Sequence, residues 1–503
     1  MKRLLVGASF LLVVSLFGAE VSEKKEIAVM PVYSSYNLPS SAYMYFDDQM
    51  IGTISSMKRF QVIGYQYRLD NTTAERFIER IRELKKQAIL KNPQYKDEDL
   101  GIAVIPAAEL ERLVKSVFIF VPSINGYSSK NYNVEVKYRK QDGSYDIRIE
   151  REYWAQVNIS VKIIDTEGNL LATYNESAEA KSRKSDNDAY QMAVNSAIGG
   201  LGFYLRSLDE FKLKTRVLKV EGDYVYLELG GNLGIQPGYE FAIEEQVPVL
   251  GQFVERRRVG LVRVSYVSDQ YSYGHVIFGR PKVEDQLIEA PKAGSRLGLV
   301  VGAMPLKVPA STILTYNEDI SFSKPLSFSS VGGYSVLLGM NFDLELGYSW
   351  LWESFFALGI SDPFMLFLSL GPAYEWYMRN TSIVFGARLG VAIGTKPVGR
   401  IDNPGSLSIG GKTFYENVDV SLNWFDFALQ PYLSYNIQFN QTVKMRIYGG
   451  FNWSFYQMVS LYFAENSSDE NRTTVSVTPK FDNWDGKLGT TGVIGGIEVI
   501  FRL

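Results

Sequence analysis

The chain has 503 residues, a formal net charge of −3, charged residues at 21% and no cysteine. Balanced charge excludes nucleic-acid binding through an overall field, and the lack of cysteine excludes disulfides, thiol catalysis, Cys-ligated zinc and a lipid-modified N-terminal cysteine. A single histidine, His275, argues against a multi-His metal site, while aromatic residues at 14% and 43 glycines lean towards β-rich architecture.

The first residues read as a secretory signal, 1–19. Lys2 and Arg3 precede an apolar run from Leu4 to Phe17, and Gly18-Ala19 precedes Glu20. The run is shorter than the roughly 18–20 apolar residues that a helical span needs. No later segment is apolar enough for a helix to cross a membrane, so a bilayer location requires strands.

Residues 20–210 have α/β texture. KEIAVMPVY (25–33) and FQVIGY (60–65) read as strands flanking a helix at 40–57. TAERFIERIRELKKQAIL (73–90) has Phe77, Ile78, Ile81, Leu84 and Ile89 near one stripe of an amphipathic helix. A further helix is expected at 106–115 and a strand at 117–124. Strands near 145–164 and 169–180 flank the turn Asp165-Thr166-Glu167-Gly168, and a helix covers 185–207. This order, with "VKIIDTEGNLL" (161–171) as its most specific piece, resembles the periplasmic domain of curli-secretion-channel (CsgG-like) proteins and relatives with a TolB N-terminal-like fold. Two departures bear on secretion activity. There is no cysteine to acylate, and the chain carries a barrel of its own rather than hairpins for a shared one.

Residues 211–292 read as a small β module. Gly230-Gly231, Gly234 and Pro237-Gly238 suit turns that need positive or preset φ. The spacing of VYLELGGNLGIQPGYEF (225–241) to VGLVRV (259–264) resembles the C-terminal module of FlgT-like flagellar accessory proteins, which implies a docking role. GGNLGIQPG lacks the Lys-Ser/Thr pair and following helix of a phosphate loop.

From 293 to 503 the chain alternates. In NWFDFALQPYLSYNIQF (423–439) the odd positions are almost all apolar. The even ones are mostly polar, over a length well beyond a usual soluble strand. The pattern recurs, giving about eight strands near 295–307, 328–341, 344–360, 363–378, 381–395, 423–439, 443–459 and 491–503. Tight turns at 378–381 and 440–442 alternate with long polar loops at 309–327, 396–422 and 460–490, the layout of an outer-membrane barrel. On this pattern the region resembles small barrels of the OmpA, OmpX and OmpW kind. Glu375, Arg388, Asp426, Arg446, Glu498 and Arg502 are expected to face the lumen as an ion-pair network. Ile497, Val499, Phe501 and Leu503 of the terminal strand are expected to face lipid. Trp376, Tyr377, Trp424, Tyr456 and Tyr462 are assigned to interfacial girdles. A soluble sandwich or lipocalin-like barrel is the alternative, with the apolar face turned inward.

Candidate sites are few. His275 in YSYGHVIF reads as structural. Lys96-Asp97-Glu98-Asp99 lacks calcium-loop spacing. Glu255-Arg256-Arg257-Arg258 is a basic run that suits either a solvated turn or a contact of Arg256, Arg257 and Arg258 with headgroups, peptidoglycan or an acidic partner. No catalytic, cofactor or metal motif emerges. The expectation is a multidomain, non-enzymatic outer-membrane protein. Its periplasmic α/β domain and small β module are held by a C-terminal antiparallel transmembrane β-barrel. The alternative is a transport or secretion component with oligomerised periplasmic domains. Expected partners are membrane lipid, the barrel-assembly machinery, and a periplasmic protein or further copies of the chain.

Overall fold

The structure is a computed structural model. It describes residues 21–64, 118–249, 253–308 and 330–503 with short gaps, together with 311–315, 326–328 and a few positions between 76 and 105. The segment 1–19, the helix expected at 106–115, most of that at 73–90, and Lys96 and Asp97 of the run 96–99 lie outside the described residues; Glu98–Asp99 is a short strand paired with Val104–Ile105. The chain divides into two compact units. The first comprises Met1–Arg216, Leu227–Gln236 and Val267–Ser272, and the second Val217–Tyr226, Pro237–Tyr266 and Tyr273–Leu503. The division therefore runs through 211–292 rather than at its ends.

The first unit is a mixed sheet covered by helices. Its elements are β1 (Lys25–Val29), α1 (Ser40–Ser56), β2 (Phe60–Gly64), β3 (Phe118–Arg139), β4 (Tyr145–Ile164), β5 (Leu170–Ser182), α2 (Asp186–Gly199) and α3 (Leu201–Ser207). The strand order is β2-β1-β3-β4-β5, with β1 parallel to both neighbours and β3, β4 and β5 antiparallel. Ser185 caps α2 by accepting the Asp188 N–H at 3.1 Å, and Asp186 and Asp188 add negative charge to the first turn. Phe46, Phe120, Val161, Tyr190 and Leu205 are among the side chains of one apolar core between sheet and helices.

Two expectations change here. The helix at 185–207 is two helices meeting at Gly200, where a Cβ would lie 2.9 Å from the Tyr174 hydroxyl. The strand at 117–124 runs on to Arg139. It continues because β3 and β4 pair as far as Arg139↔Tyr145, in a polar ribbon with no apolar run to mark it in the sequence. β5 reaches back only to Tyr153, so the distal ribbon has no third strand among the described residues.

The module strands are β6 (Lys214–Glu221), β7 (Tyr224–Leu227), β8 (Glu240–Val249), β9 (Phe253–Val267), β10 (Ser272–Phe278) and β11 (Gln286–Glu289). They close into a small barrel in the order β7-β10-β9-β8-β11-β6. The bulge at Ile243/Glu244 marks where the β8–β9 pair leaves this barrel as a hairpin.

The C-terminal strands are β12 (Ser295–Pro305), β13 (Tyr334–Glu345), β14 (Trp350–Gly359), β15 (Phe364–Met378), β16 (Thr381–Ile401), β17 (Val418–Gln438), β18 (Val443–Glu465) and β19 (Gly492–Arg502). They pair antiparallel in the order β17-β16-β15-β14-β13-β12-β19-β18. A further β17–β18 pairing closes the ring. The last strand is held on both edges, Phe501 lying opposite Leu297 on one side and Val443 on the other. A closed ring leaves no open edge.

Alternation now has a direction. Along β13 the outward Tyr334, Val336, Leu338, Met340, Phe342 and Leu344 are exposed, while Asn341 and Asp343 between them are buried. Gly386 and Gly394 on the inner face of β16 leave room for large rings. A Cβ would meet the Tyr432 ring at 2.3 Å and the Trp424 ring at 2.0 Å.

The segments expected to be long polar loops are partly strand. β16, β17 and β18 extend to Ile401, from Val418 and to Glu465, with a small hairpin at Leu407–Ile409 and Lys412–Phe414. An apolar core lies within this end. Ile409, Phe414, Val418, Val420, Leu422, Trp424, Leu461 and Phe463 are buried together. Outward neighbours along the same strands are polar: Asp419, Ser421 and Asn423 on β17, and Ser460 on β18. The polarity of the two faces therefore inverts along the barrel wall. The crossover falls at the rung Gly394–Trp424–Val459. On one side of it the wall is apolar outside and charged inside. On the other side, β17 and β18 turn apolar residues inward and mostly polar ones outward, with Lys396 of β16 a buried exception.

Candidate functional site: the charged barrel interior and the β module at its mouth

Each inward charge sits on the strand phase opposite to the outward apolar row, so strand period alone points these side chains into the bore. Arg446 lies at the centre. Its guanidinium is 2.9 Å from Asp343, 2.9 Å from Glu353 and 3.2 Å from Glu498, and its Nε donates to Asn436 at 3.2 Å. Glu353 also takes Arg388 at 2.7 Å and the Tyr432 hydroxyl. Arg388 lies over the Tyr432 ring, 4.4 Å from its centroid.

Towards the short-turn end, Glu375 accepts from Arg296 at 2.6 Å, Lys444 at 3.0 Å, Ser382 at 2.5 Å and Tyr377 at 2.9 Å. Arg296 is also 2.8 Å from Glu345. Glu345 then meets Arg263 of the module at 2.9 Å, and also Lys292. Glu240 of the module accepts from Arg263 at 3.1 Å, from Lys292 at 3.0 Å and from Arg502 of the last strand. Asn436 joins the two groups, accepting from Arg446 and donating to Glu375 at 3.1 Å, and from Glu375 the ion pairs run on into the module. An apolar contact accompanies them, in which Ala242, Leu261 and Ile277 of the module pack with Tyr377.

The mouth charges are tuned by this company. Burial alone would raise the Glu240 carboxyl, but Arg502, Lys292 and Arg263 outweigh it and hold it at about 2. Burial pulls the Lys292 ammonium down to about 8 against the attraction of Glu240. Burial lowers the His275 imidazole against the attraction of Asp223, and its ring lies 4.4 Å from the Tyr224 ring.

No family model matches the sequence, and no curated protein does. Solved structures similar to the chain include outer-membrane β-barrels. The N-terminal β-barrel domain of Pseudomonas aeruginosa OprF is 7% identical, covers 42% of this chain and 99% of its own, and has a TM-score of 0.20. Acinetobacter baumannii CarO2 is 14% identical, with 41% and 99% covered and a TM-score of 0.17. A neuraminyllactose-binding hemagglutinin homologue from Helicobacter pylori is 8% identical, with 39% and 88% covered and a TM-score of 0.22.

The structure brings Glu375, Arg388, Arg446 and Glu498 into one buried network. It sets two other expected members apart. Asp426 is buried away from the cations and accepts from Ser454. Arg502 turns to Glu240 of the module. Ile497, Val499, Phe501 and Leu503 are 51%, 40%, 38% and 56% exposed. Two girdle assignments are corrected. Tyr377 points inward to Arg296 and Glu375, and Trp424 is buried in the apolar core. Both lie on the inner phase of their strands, which aromatic type alone does not reveal.

Sequence reasoning missed Asp343, Glu353, Lys444 and Arg296. Each follows the same rule, an ionisable residue alternating with apolar neighbours. Glu353 was hidden because Trp350-Leu351-Trp352 blurs the period, since the chain turns at 346–349 before β14 begins. Arg257 and Arg258 are exposed, and Arg258 donates to Gln441 in the turn between β17 and β18 at 3.3 Å. The Arg256 side chain lies outside the described residues.

Proposed function

We propose that the chain is a non-enzymatic outer-membrane protein whose eight-stranded barrel anchors periplasmic binding or assembly modules. The observation that carries this reading is the inversion of polarity at the Gly394–Trp424–Val459 rung. A wall in water throughout has no reason to expose an apolar band along one stretch and polar residues along the next. A bilayer supplies the reason, because strands there turn apolar side chains to lipid. The outward row from Tyr334 to Leu344 covers about ten residue steps, roughly 33 Å of strand, and a tilt near 40° makes that roughly 25 Å of height.

The interior supports an anchor over a channel. An eight-stranded barrel has room for little beyond its own side chains. Here those side chains pair across the bore from Arg446 and Glu353 to Glu375 and Arg296. At the mouth, Arg263 and Glu240 of the module continue the pairing. The membrane thus holds one end of the chain, and the preceding domains are presented in the periplasm to a protein partner or to further copies of the chain.

Conductance across planar bilayers tests this assignment. The purified full chain is expected to insert without producing discrete conductance steps. Steady, ion-selective steps from the wild-type chain would favour the transport reading instead.

A further inference from the structure

β5 covers the outer edge of β4 only from Tyr153 onward, so residues 145–152 are an edge strand among the described residues. The turn that joins β3 to β4 fixes the phase of that edge. Lys140 N–H donates to the Ser144 carbonyl at 2.8 Å and Gly143 N–H donates to the Lys140 carbonyl at 3.1 Å. With Gly143 at φ 84°, these are the bonds of a hairpin closed by a glycine bulge. Lys140 and Ser144 are therefore a hydrogen-bonded pair. Bonded and non-bonded pairs alternate along an antiparallel ladder, and the register holds from Arg139↔Tyr145 to Gly126↔Asn158. The N–H and C=O groups of Tyr145, Ile147, Ile149 and Arg151 accordingly point away from β3, along the open edge. Such an edge is a template for pairing with another strand.

Its side chains suit a second copy of itself. Tyr145, Ile147 and Ile149 share one face and are 61%, 56% and 72% exposed. Asp146 and Arg148 share the other face, 3.0 Å apart, with Glu150 next in line. Antiparallel pairing about a two-fold axis sets one residue opposite itself, and the charges choose which. Centred on Asp146 or on Arg148, that charge faces its own copy. Centred on Ile149, Asp146 faces Glu152. Centred on Ile147, no like charges are opposed. Asp146 of each copy then faces Arg148 of the other, Tyr145 faces Ile149, and Ile147 faces itself. Opposite charges and aromatic–β-branched pairs are the combinations that stabilise cross-strand contacts. This register also joins the outward N–H and C=O groups of the two strands, and it ends at Arg151, before β5 takes the edge at Tyr153.

We propose that this edge is a self-association surface, on which the β4 strands of two copies of the chain pair antiparallel about Ile147. The inference rests on the assembly role proposed above and names a further copy of the chain as the partner.

The natural absence of cysteine makes the register measurable. The full chain, folded in detergent, is given single cysteines, oxidised, and run on gels with and without boiling. Ile147→Cys places two thiols at opposed positions of a bonded pair, whose α-carbons are about 5.5 Å apart, within disulfide reach. A linked dimer is expected. Ile149→Cys lies about 13 Å from its own copy in this register and should stay unlinked, whereas Tyr145→Cys combined with Ile149→Cys should link. Sedimentation of the cysteine-free chain reads the dimer itself. Arg148→Asp opposes like charges at two places and should raise the dissociation constant about tenfold. Adding Asp146→Arg restores opposite charges and should return it to the wild-type value. A monomer at every concentration, or an unlinked Ile147→Cys chain that still changes mobility on boiling, overturns the pairing and leaves the anchor standing. Linking at 149 alone as efficient as at 147 overturns the register. Linked dimers at 147 from a chain whose mobility boiling does not change would uphold the pairing and overturn the anchor.

Discussion

Arg446 shows why single residues matter in this interior. It meets three carboxylates and an amide, all buried. Desolvating so many charges is offset only while the set is complete. Glu353→Gln leaves Arg388 and Arg446 short of one anion, and removing one partner of a buried pair costs about 3–5 kcal/mol. That loss should appear as a lower urea midpoint for the detergent-folded barrel. Asp426→Asn, where the partners are uncharged, should shift it far less. At the mouth the sign with pH is fixed by Glu240. Its folded value near 2 lies below the ordinary 4.5, so its contribution is complete above about 4.5 and is lost as pH falls towards 2. Hydrogen exchange at 290–294 should therefore quicken over that window, and Glu240→Gln should remove the dependence. At this scale the sequence was partly legible. Alternation singles out Arg388 and Arg446 because their neighbours are clean. It hides Glu353 behind a turn, and it says nothing of Arg263 or Lys292, whose partners are distant in sequence.

Strands make the larger argument. Period-2 alternation locates all the long C-terminal strands, because one face must suit a medium unlike that of the other. Strand ends are less legible. β16, β17 and β18 run on past the rung at Trp424, where the inward residues of β17 and β18 become apolar and the outward ones mostly polar. The pattern still alternates there, but with opposite sense, and reads as loop to a search for a single sense. Two substitutions separate the two regions. Leu433→Asp puts charge on the outward band and should reduce membrane insertion, at a cost of up to about 2–4 kcal/mol near the midplane. Leu461→Asp breaks the apolar core beyond the rung and should leave insertion intact while making the segments 406–417 and 472–478 sensitive to protease. The terminal strand has its own test. Deleting 501–503 removes the pairing of Phe501 with both Leu297 and Val443, and insertion should fail.

For the whole molecule, the α/β sheet, the module and the barrel answer to different physics. The sheet and helices of the first unit bury an apolar core in the manner of a protein in water. The barrel wall turns its apolar side outward, and its charged bore is continuous with charges of the module. That continuity was invisible in sequence, since Glu240 and Arg502 lie 262 residues apart. An anchor whose plug is part of its own scaffold is the account that joins these features. The most direct test is membrane fractionation of cells making the full chain, followed by gel mobility with and without heating. The account predicts a protein that stays with outer membranes through high salt and changes mobility when boiled. A protein released by salt, with one mobility in both lanes, would contradict it.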